Sequence, residues 1–463
     1  MKQFRLMTMA VAVGLLATAA CSDFLEEKSQ DEVIPSTTAD YGEMLLTYMD
    51  IYEYAILYML DDDVQISEIY YTPTSMVPFG GCFTWQPDMW ELEGATASGY
   101  EETYSAIMGF NAVLDDIDGA VGTQEERDMV KAEALGLRAL AYYYLVNLFG
   151  EPYNANKQAP GVPLKLTGVL EENGMSRNTV EEVYDQMVSD LEESSALFAK
   201  YPKRRGNYRM NGTTVDIILS RVYLYMEKWE DAVGAASRAI ESAEGLTDYT
   251  QMPNGMEVPF FLASYDHSEV EWLYGYSYMA SSYSFLEASS ELLSFYASGD
   301  RRYDLWFPLA AYGMNIVDKK DPYNYEYLPT NTVRISEAYL NRAEARTQCA
   351  TPDFAGALSD LNELRRHRIT GYQDEQSTDN LLERIRTERR LELCFDWHRW
   401  FDLRRYGMPS ISHDYKAQYD DPWMTYTLRE KDPLYTLPLP TSAMENNMSL
   451  QQNPSASEQR RSG

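Results

Sequence analysis

The run Lys131-Ala-Glu-Ala-Leu-Gly-Leu-Arg138-Ala-Leu-Ala-Tyr-Tyr-Tyr-Leu-Val-Asn-Leu-Phe149-Gly150 decides the fold class. Ahead of it, Thr123-x-x-Glu126 has the form of a capping box. Val130, Ala134, Leu137, Ala141, Leu145 and Leu148 then recur at the spacing of one helix face. The pattern predicts a helix over 123–149, stopped by Gly150 and Pro152. Thr179-x-x-Glu182 opens a second helix carrying Val183, Met187, Leu191 and Leu197. On this reading Tyr142–Tyr144 lie in the core, as does Trp400 in a later helical stretch.

Working outward, a weak internal repeat follows. Trp229-Glu-Asp-Ala232 comes after a helical stretch around Ile217–Tyr225, and Ala232, Ala236, Ala239 and Ala243 line one face of the next helix. Phe354-Ala-Gly-Ala357 comes after Ala338–Ala345, with Ala357, Leu361 and Leu364 in the matching positions. An aromatic residue and a small-residue helix behind a first helix follow the packing logic of a tetratricopeptide hairpin, where Ala permits close approach. An ordinary helical hairpin gives the same pattern. Residues 61–99 and 246–330 differ, being rich in Pro, Gly and Tyr, and Val270-Glu-Trp272-Leu-Tyr274-Gly-Tyr276 alternates as a strand does.

The chain has 463 residues and a formal charge of −33, so it would repel a polyphosphate and nucleic acid is not an expected partner. Lys2 and Arg5 precede the apolar run Leu6–Ala20, shorter than the about 20 residues a bilayer span needs, and residues 1–20 read as a signal peptide. Ala19-Ala20-Cys21 resembles a bacterial lipoprotein cleavage site, with Cys21 as the acylated mature N-terminus, although Thr18 stands where that pattern has Leu. Ordinary secretory cleavage is the alternative. Residues 21–40 read as an acidic tether, 41–454 as a single domain and 455–463 as a flexible tail. The chain contains no CxxC, and Cys349 and Cys394 read as small core residues.

The quoted run, followed by Gly161-Val-Pro163, resembles the SusD-like (RagB/SusD) nutrient-uptake lipoproteins of Bacteroidetes outer membranes. Thr179-Val-Glu-Glu-Val-Tyr-Asp185, Ser220-Arg-Val-Tyr-Leu-Tyr-Met226 and Arg334-Ile-Ser-Glu-Ala-Tyr-Leu-Asn341-Arg-Ala-Glu344 carry the same resemblance. So do Glu388-Arg-Arg-Leu-Glu-Leu393, Arg399-Trp-Phe-Asp-Leu-Arg404, Leu437-Pro-Leu-Pro440 and Gln452-Asn-Pro454. Asp396-Trp397 stands where the family pattern has Glu-Gly. The resemblance implies a mainly α fold, with four tetratricopeptide-type hairpins as scaffold and long aromatic-rich loops with minor β structure. It further implies a surface-exposed lipoprotein that captures oligosaccharide, or in some branches peptide, and delivers it to a TonB-dependent SusC-like transporter. Such proteins are not enzymes and carry no cofactor.

The residues are consistent with that absence of catalysis. Four His are present, without HExxH, GxSxG or a phosphate-cradling Gly-Lys motif. A glycosidase carboxylate pair is set in space and not by chain spacing, so a hydrolase remains an alternative, as does a protein-interaction scaffold of the envelope. Asp61-Asp62-Asp63 lacks the alternate spacing of a calcium loop and reads as an exposed acidic turn, and no metal site is expected. Residues 363–406 hold ten Arg interleaved with nine acids and read as an ion-paired helical face, with Arg384/Glu388, Glu383/Arg386 and Asp402/Arg405 as its pairs.

Ligand contacts are expected from the aromatic loops. A sugar offers an apolar C–H face to an aromatic ring and hydroxyls to polar groups, and a peptide could use the same surface. Trp85 and Trp90 are the first candidates, then Tyr276, Tyr278 and Tyr283. Packing in the core competes for the same residues.

Overall fold

A computed structural model of the chain describes residues 35–48, 56–69, 72–92, 95, 98–171, 173–202, 206, 208–253, 262, 267–275, 285–315, 317, 319 and 331–463. The expected signal peptide, Cys21, and Tyr276, Tyr278 and Tyr283 lie outside these residues.

The fold is mainly helical. After a short helix, Thr38–Thr47, come α1 (Tyr100–Asp116), α2 (Gln124–Phe149), α3 (Val180–Ala199), α4 (Gly212–Tyr225) and α5 (Trp229–Ser242). Then follow α6 (Ile335–Gln348), α7 (Phe354–Arg366), α8 (Leu381–Leu393) and α9 (Arg399–Arg405). Both expected capping boxes form. Thr123 Oγ1 accepts from the Glu126 N–H at 3.2 Å while Glu126 Oε2 accepts from the Thr123 N–H at 2.7 Å. The Thr179/Glu182 pair repeats this at 3.2 and 2.8 Å, so each helix starts with two of its free N–H groups satisfied.

Helices pack in chain order, α1 on α2, α2 on α3, α3 on α4, α4 on α5, α5 on α6 and α6 on α7, with α8 also against α6. The two repeats are the hairpins α4–α5 and α6–α7. Ala232, Ala235, Ala236 and Ala239 are wholly buried between α5 and its neighbours, whereas Ala243, at the end of the helix, is only half-buried. In the second hairpin Ala343 and Ala357 pack with Leu361, and Phe354 stays exposed where its counterpart Trp229 packs on the core. Gly136 serves close approach as well, since a Cβ there would lie 2.4 Å from Met210 Sδ.

Three two-stranded antiparallel ladders fringe this scaffold among the described residues. They pair β1 (Val64–Ile66) with β3 (Leu286–Ala288), β2 (Val270–Tyr274) with β4 (Asn331–Arg334), and β5 (Ile411–Tyr415) with β6 (Met424–Leu428). β2 is the strand anticipated from alternation, but all five of its residues are buried. Trp272 and Tyr274 stack on each other at 4.5 Å, and the Tyr274 hydroxyl meets that of Tyr144 at 2.6 Å.

The acid–arginine segment is ion-paired, but many of its charges, among them Arg368, Glu388, Arg389, Glu392 and Asp402, are buried, a correction to the helical surface expected for it, while Arg366, Asp374 and Glu383 stay exposed. Arg138 on α2 makes two bonds to Asp190 on α3, at 2.8 and 2.7 Å, and reaches Asn111 on α1 at 2.9 Å. Arg221 on α4 pairs with Glu337 on α6 at 2.6 and 2.7 Å, and Arg389 on α8 bonds Asn341 at 2.6 Å and Asp402 on α9 at 2.8 Å. Arg405 binds both Asp402 and Glu344. Thus Arg and acidic residues tie helices together, both neighbours in the chain, α2 to α3 and α8 to α9, and more distant ones, with α4, α8 and α9 each fastened to α6. Of the expected surface pairs, Glu383/Arg386 and Asp402/Arg405 form, but Glu388 pairs with Arg302 and Arg365, and Arg384 with Glu375. Arg404 donates to the carbonyls of Asn147 and Gly150, closing the C-terminal end of α2.

Asp396-Trp397 acquires a physical reading here. Trp397 has φ +64°, a left-handed conformation that suits glycine, and its ring is buried 5.9 Å from Tyr144 and 6.2 Å from Tyr274. Apolar burial offsets a backbone cost of about 1–2 kcal/mol. Cys394 is buried, whereas Cys349 is half-buried just past the end of α6.

Two boundaries move. Thr37 and Asp40 form a capping box for the first helix and Thr37 bridges to Val121, so the fold begins before Tyr41. The segment 455–463, expected to be flexible, is fastened by Arg461, which donates to the Trp85 and Thr427 carbonyls at 2.9 and 2.8 Å and to Asp432 at 2.6 Å.

His398 supplies a pH dependence. Burial, then the positive charges of Arg221 and Arg389, push its imidazole well below its ordinary value, and Arg389 donates to Nδ1 at 3.4 Å. The unfolded chain binds this proton below about pH 6.5 and the folded chain does not, so the contribution to stability is full above that pH and is lost progressively as the pH falls below it toward the depressed folded-state value. Unfolding free energy is expected to fall with acidification by up to about 1.4 kcal/mol per pH unit from this group. Denaturant titrations of the parent and His398→Gln at about pH 7 and 5 test it, with a shallower dependence expected in the variant; equal slopes would refute the assignment.

Candidate ligand-binding groove

The Gln65–Glu287 pair of the β1–β3 ladder is bonded side chain to side chain, Gln65 Nε2 donating to Glu287 at 2.8 Å, while Val64 and Ile66 turn into the core. β5 lies beside β1, and the ends of α8 and α9 bring Arg390 and Arg399 alongside. Together they bound an open groove of about 1010 Å³, large enough for an oligosaccharide, lined mainly by Gln65, Ser67, Glu68, Glu287, Ser289, Glu291, Arg390, Arg399, Ser412, His413, Asp414 and Trp423.

One wall is the Asp61-Asp62-Asp63 run, which is not the exposed turn expected of it. Asp61 and Asp63 are buried. Arg399 donates to both Asp62 oxygens at 2.6 and 2.8 Å, and Arg390 donates to Asp63 at 2.7 Å and to Glu291 at 3.0 Å. Burial would raise the Asp62 carboxyl, but the Arg399 and Arg390 guanidiniums outweigh it and hold it at about 2. Burial, followed by the neighbouring Asp63 and Asp62 charges, pushes Asp61 well above the usual carboxylate range. Guanidiniums pair with the run, and among the described residues no group of three or more His, Cys, Asp or Glu is placed to hold a metal.

His413 faces the groove from β5, sandwiched between Phe83 at 4.1 Å and Trp85 at 4.4 Å. Its Nδ1 and Nε2 each lie 2.8 Å from a carbonyl, those of Phe83 and Asp61. Burial draws its pKa below the ordinary value against the pull of these two acceptors. Both nitrogens abut backbone carbonyls, of which a neutral imidazole can donate to one, so neither is open to a ligand and His413 is unsuited to act as a general base.

Trp85, the first expected ligand contact, is wholly buried, and its indole N–H donates to the Leu60 carbonyl at 3.1 Å. Its backbone φ of +48° turns the ring inward onto His413, so it backs the groove without lining it. Trp90 is half-buried with its N–H donating to the Pro438 carbonyl at 2.8 Å, and it is not among the residues lining the groove.

An exposed aromatic that does line the groove is Trp423, 39 % exposed, with Lys416 Nζ 5.0 Å from its ring centre. It was not singled out from the sequence. The available signal was Asp421-Pro422-Trp423, a turn between the alternating runs that become β5 and β6. Ser67, 1 % exposed, also lines the groove, and its hydroxyl has no hydrogen-bond partner among the described residues. One aromatic face, several hydroxyls and carboxylates can hold a polyhydroxylated molecule without attacking it.

Comparison with known proteins agrees with this architecture. The model of the SusD family matches residues 228–455, and one described as "starch-binding associating with outer membrane" matches residues 23–224. SusD-like protein P2 of Formosa agariphila is 22 % identical over 68 % of this chain and 73 % of its own. SusD-like protein P25 of the same organism is also 22 % identical, over 48 % of this chain, which spans only 44 % of that relative. Among solved structures, a SusD superfamily protein from Bacteroides thetaiotaomicron superposes with TM-score 0.70 at 24 % identity, covering 90 % of this chain and 100 % of that one. A SusD-like carbohydrate binding protein from Bacteroides vulgatus gives TM-score 0.66 at 21 % identity over 90 % and 97 %. A laminarin binding SusD-like protein gives 0.63 at 17 % over 90 % and 98 %.

Proposed function

The chain belongs to the SusD family, and from that premise we propose that it is a surface-exposed, lipid-anchored protein of the outer membrane that captures oligosaccharide and passes it to a TonB-dependent SusC-like transporter, breaking no bond. The observation that carries the reading is the open groove in which Trp423 stands over a floor of serines and carboxylates. Stacking on the indole and hydrogen bonds to the hydroxyls supply affinity, and the buried arginine–carboxylate wall keeps the floor rigid, so little ordering accompanies binding. Solved relatives named for carbohydrate or laminarin binding support sugar as the ligand. Trp90, Tyr276, Tyr278 and Tyr283 remain proposed as further contacts. Native gels cast with individual polysaccharides test the reading: retardation by at least one, with no new reducing ends, is expected. Capture of peptides with indifference to every polysaccharide would assign the chain to a peptide-binding branch instead, and released reducing ends would make it a hydrolase.

Cys21 is proposed as the acylated anchor. Acyl chains contribute about 0.8 kcal/mol per buried CH₂, and among the described residues no helix is long and apolar enough to cross a membrane. In cells, Cys21→Ala is expected to move the protein from the membrane fraction to the soluble one; retention at the membrane would exclude the anchor.

A further inference from the structure

On the glycan-binding reading just proposed, we infer that the groove selects uncharged oligosaccharides and rejects those bearing uronate or sulfate groups. The argument lies in how the lining charges are paired. Both guanidiniums in the groove are already engaged, Arg399 by Asp62 and Arg390 by Asp63, Asp62 and Glu291. Neither is left to receive an acidic sugar, and a ligand carboxylate could reach one only by displacing a carboxylate that is held in place by the fold.

Among the described residues the remaining acids form no ion pair, although Lys416 stands 5.0 Å from the Trp423 ring centre. Glu287 accepts from the Gln65 amide at 2.8 Å and Asp414 from the Thr425 hydroxyl at 2.6 Å, both neutral donors, and Glu68 lines the same groove. Neutral donors leave the full negative charge facing the ligand. A sugar hydroxyl is a donor that such carboxylates bind well. An anionic substituent offers acceptors only and meets like charge within a Debye length, about 10 Å at 0.1 M salt, so the groove discriminates by repulsion as much as by attraction.

The test uses native affinity gels at low ionic strength with neutral polysaccharides (amylopectin, laminarin, galactomannan) and acidic ones (polygalacturonate, alginate, chondroitin sulfate). The neutral polymer that retards most is then compared with its own C6-carboxylated derivative. Carboxylation is expected to weaken binding about tenfold or more, and the gap to narrow as salt screens it. In the combined variant Glu68→Gln, Glu287→Gln, Asp414→Asn the ratio of neutral to carboxylated affinity is expected to fall toward one. Equal or tighter binding of the carboxylated form, or strongest retardation by an acidic polymer, overturns the inference and leaves glycan binding intact. Indifference to every polymer, neutral or acidic, overturns the glycan-binding reading itself.

Discussion

Glu392→Ala is expected to lower the unfolding free energy by about 3–5 kcal/mol, the cost of removing one partner from a buried ionic cluster. Glu392 is fully buried on α8 and accepts from Arg302 at 3.0 Å, Arg334 at 2.6 Å and Arg368 at 3.0 Å, all three guanidiniums being buried too. Burial alone would raise its carboxyl, but Arg368, Arg334 and Arg302 hold it well below the usual range. Around this centre Asp300 and Glu388 bind Arg302, Glu269 binds Arg368, and Asp396 joins Arg334 to Lys319. Deleting the carboxylate leaves three desolvated cations to share the peripheral acids, which are already engaged. Denaturant titration of the variant measures the loss. A change below about 1 kcal/mol, the level of an exposed pair, would mean that water reaches the cluster and that it does not organise the core.

That cluster shows what a linear sequence can and cannot disclose. Arg302, Arg334, Arg368 and Glu392 come from separate stretches of the chain, and their meeting depends on α8 lying against α6. Periodicity reported the α8 charges only as neighbours along one helix, and so assigned Glu388 to Arg384 and the whole segment to solvent. Features set within a few residues were legible: the capping boxes at Thr123 and Thr179, the alanine face of α5, the burial of Tyr142–Tyr144 and Trp400. The groove was not, because its walls come from residues 62–69, 287–291, 390–399 and 410–423, and no local pattern records their approach. Trp85 illustrates the same limit at a single residue. Composition marks it as a ring available for stacking, while one left-handed φ decides that it stacks on His413 inside the protein. Arg390 and Glu392 sit two positions apart on α8 yet serve different tasks, one bracing the groove wall and the other the core, so groove shape and core stability share one helix.

Trp423→Ala is expected to weaken binding of whichever polysaccharide retards the parent by about 5- to 30-fold, equivalent to about 1–2 kcal/mol, while leaving the unfolding midpoint unchanged. The size follows from the chemistry of the contact. An indole covers one face of a pyranose ring and that contribution is lost on truncation, since among the described residues the other rings lining the groove, Phe83 and His413, already stack on each other. The insensitivity of folding follows from position, because Trp423 is 39 % exposed in the turn before β6, where truncation opens no internal cavity. Trp423→Phe keeps a flat face and is expected to retain most of the affinity. Trp85→Ala is the opposing control, since it empties a fully buried site behind His413 and is expected to act through stability, with weaker binding only in proportion to unfolded chain. Unaltered affinity in Trp423→Ala, with Trp90→Ala reducing it, would move the binding surface away from the β5–β6 hairpin to the face where Trp90 meets Pro438.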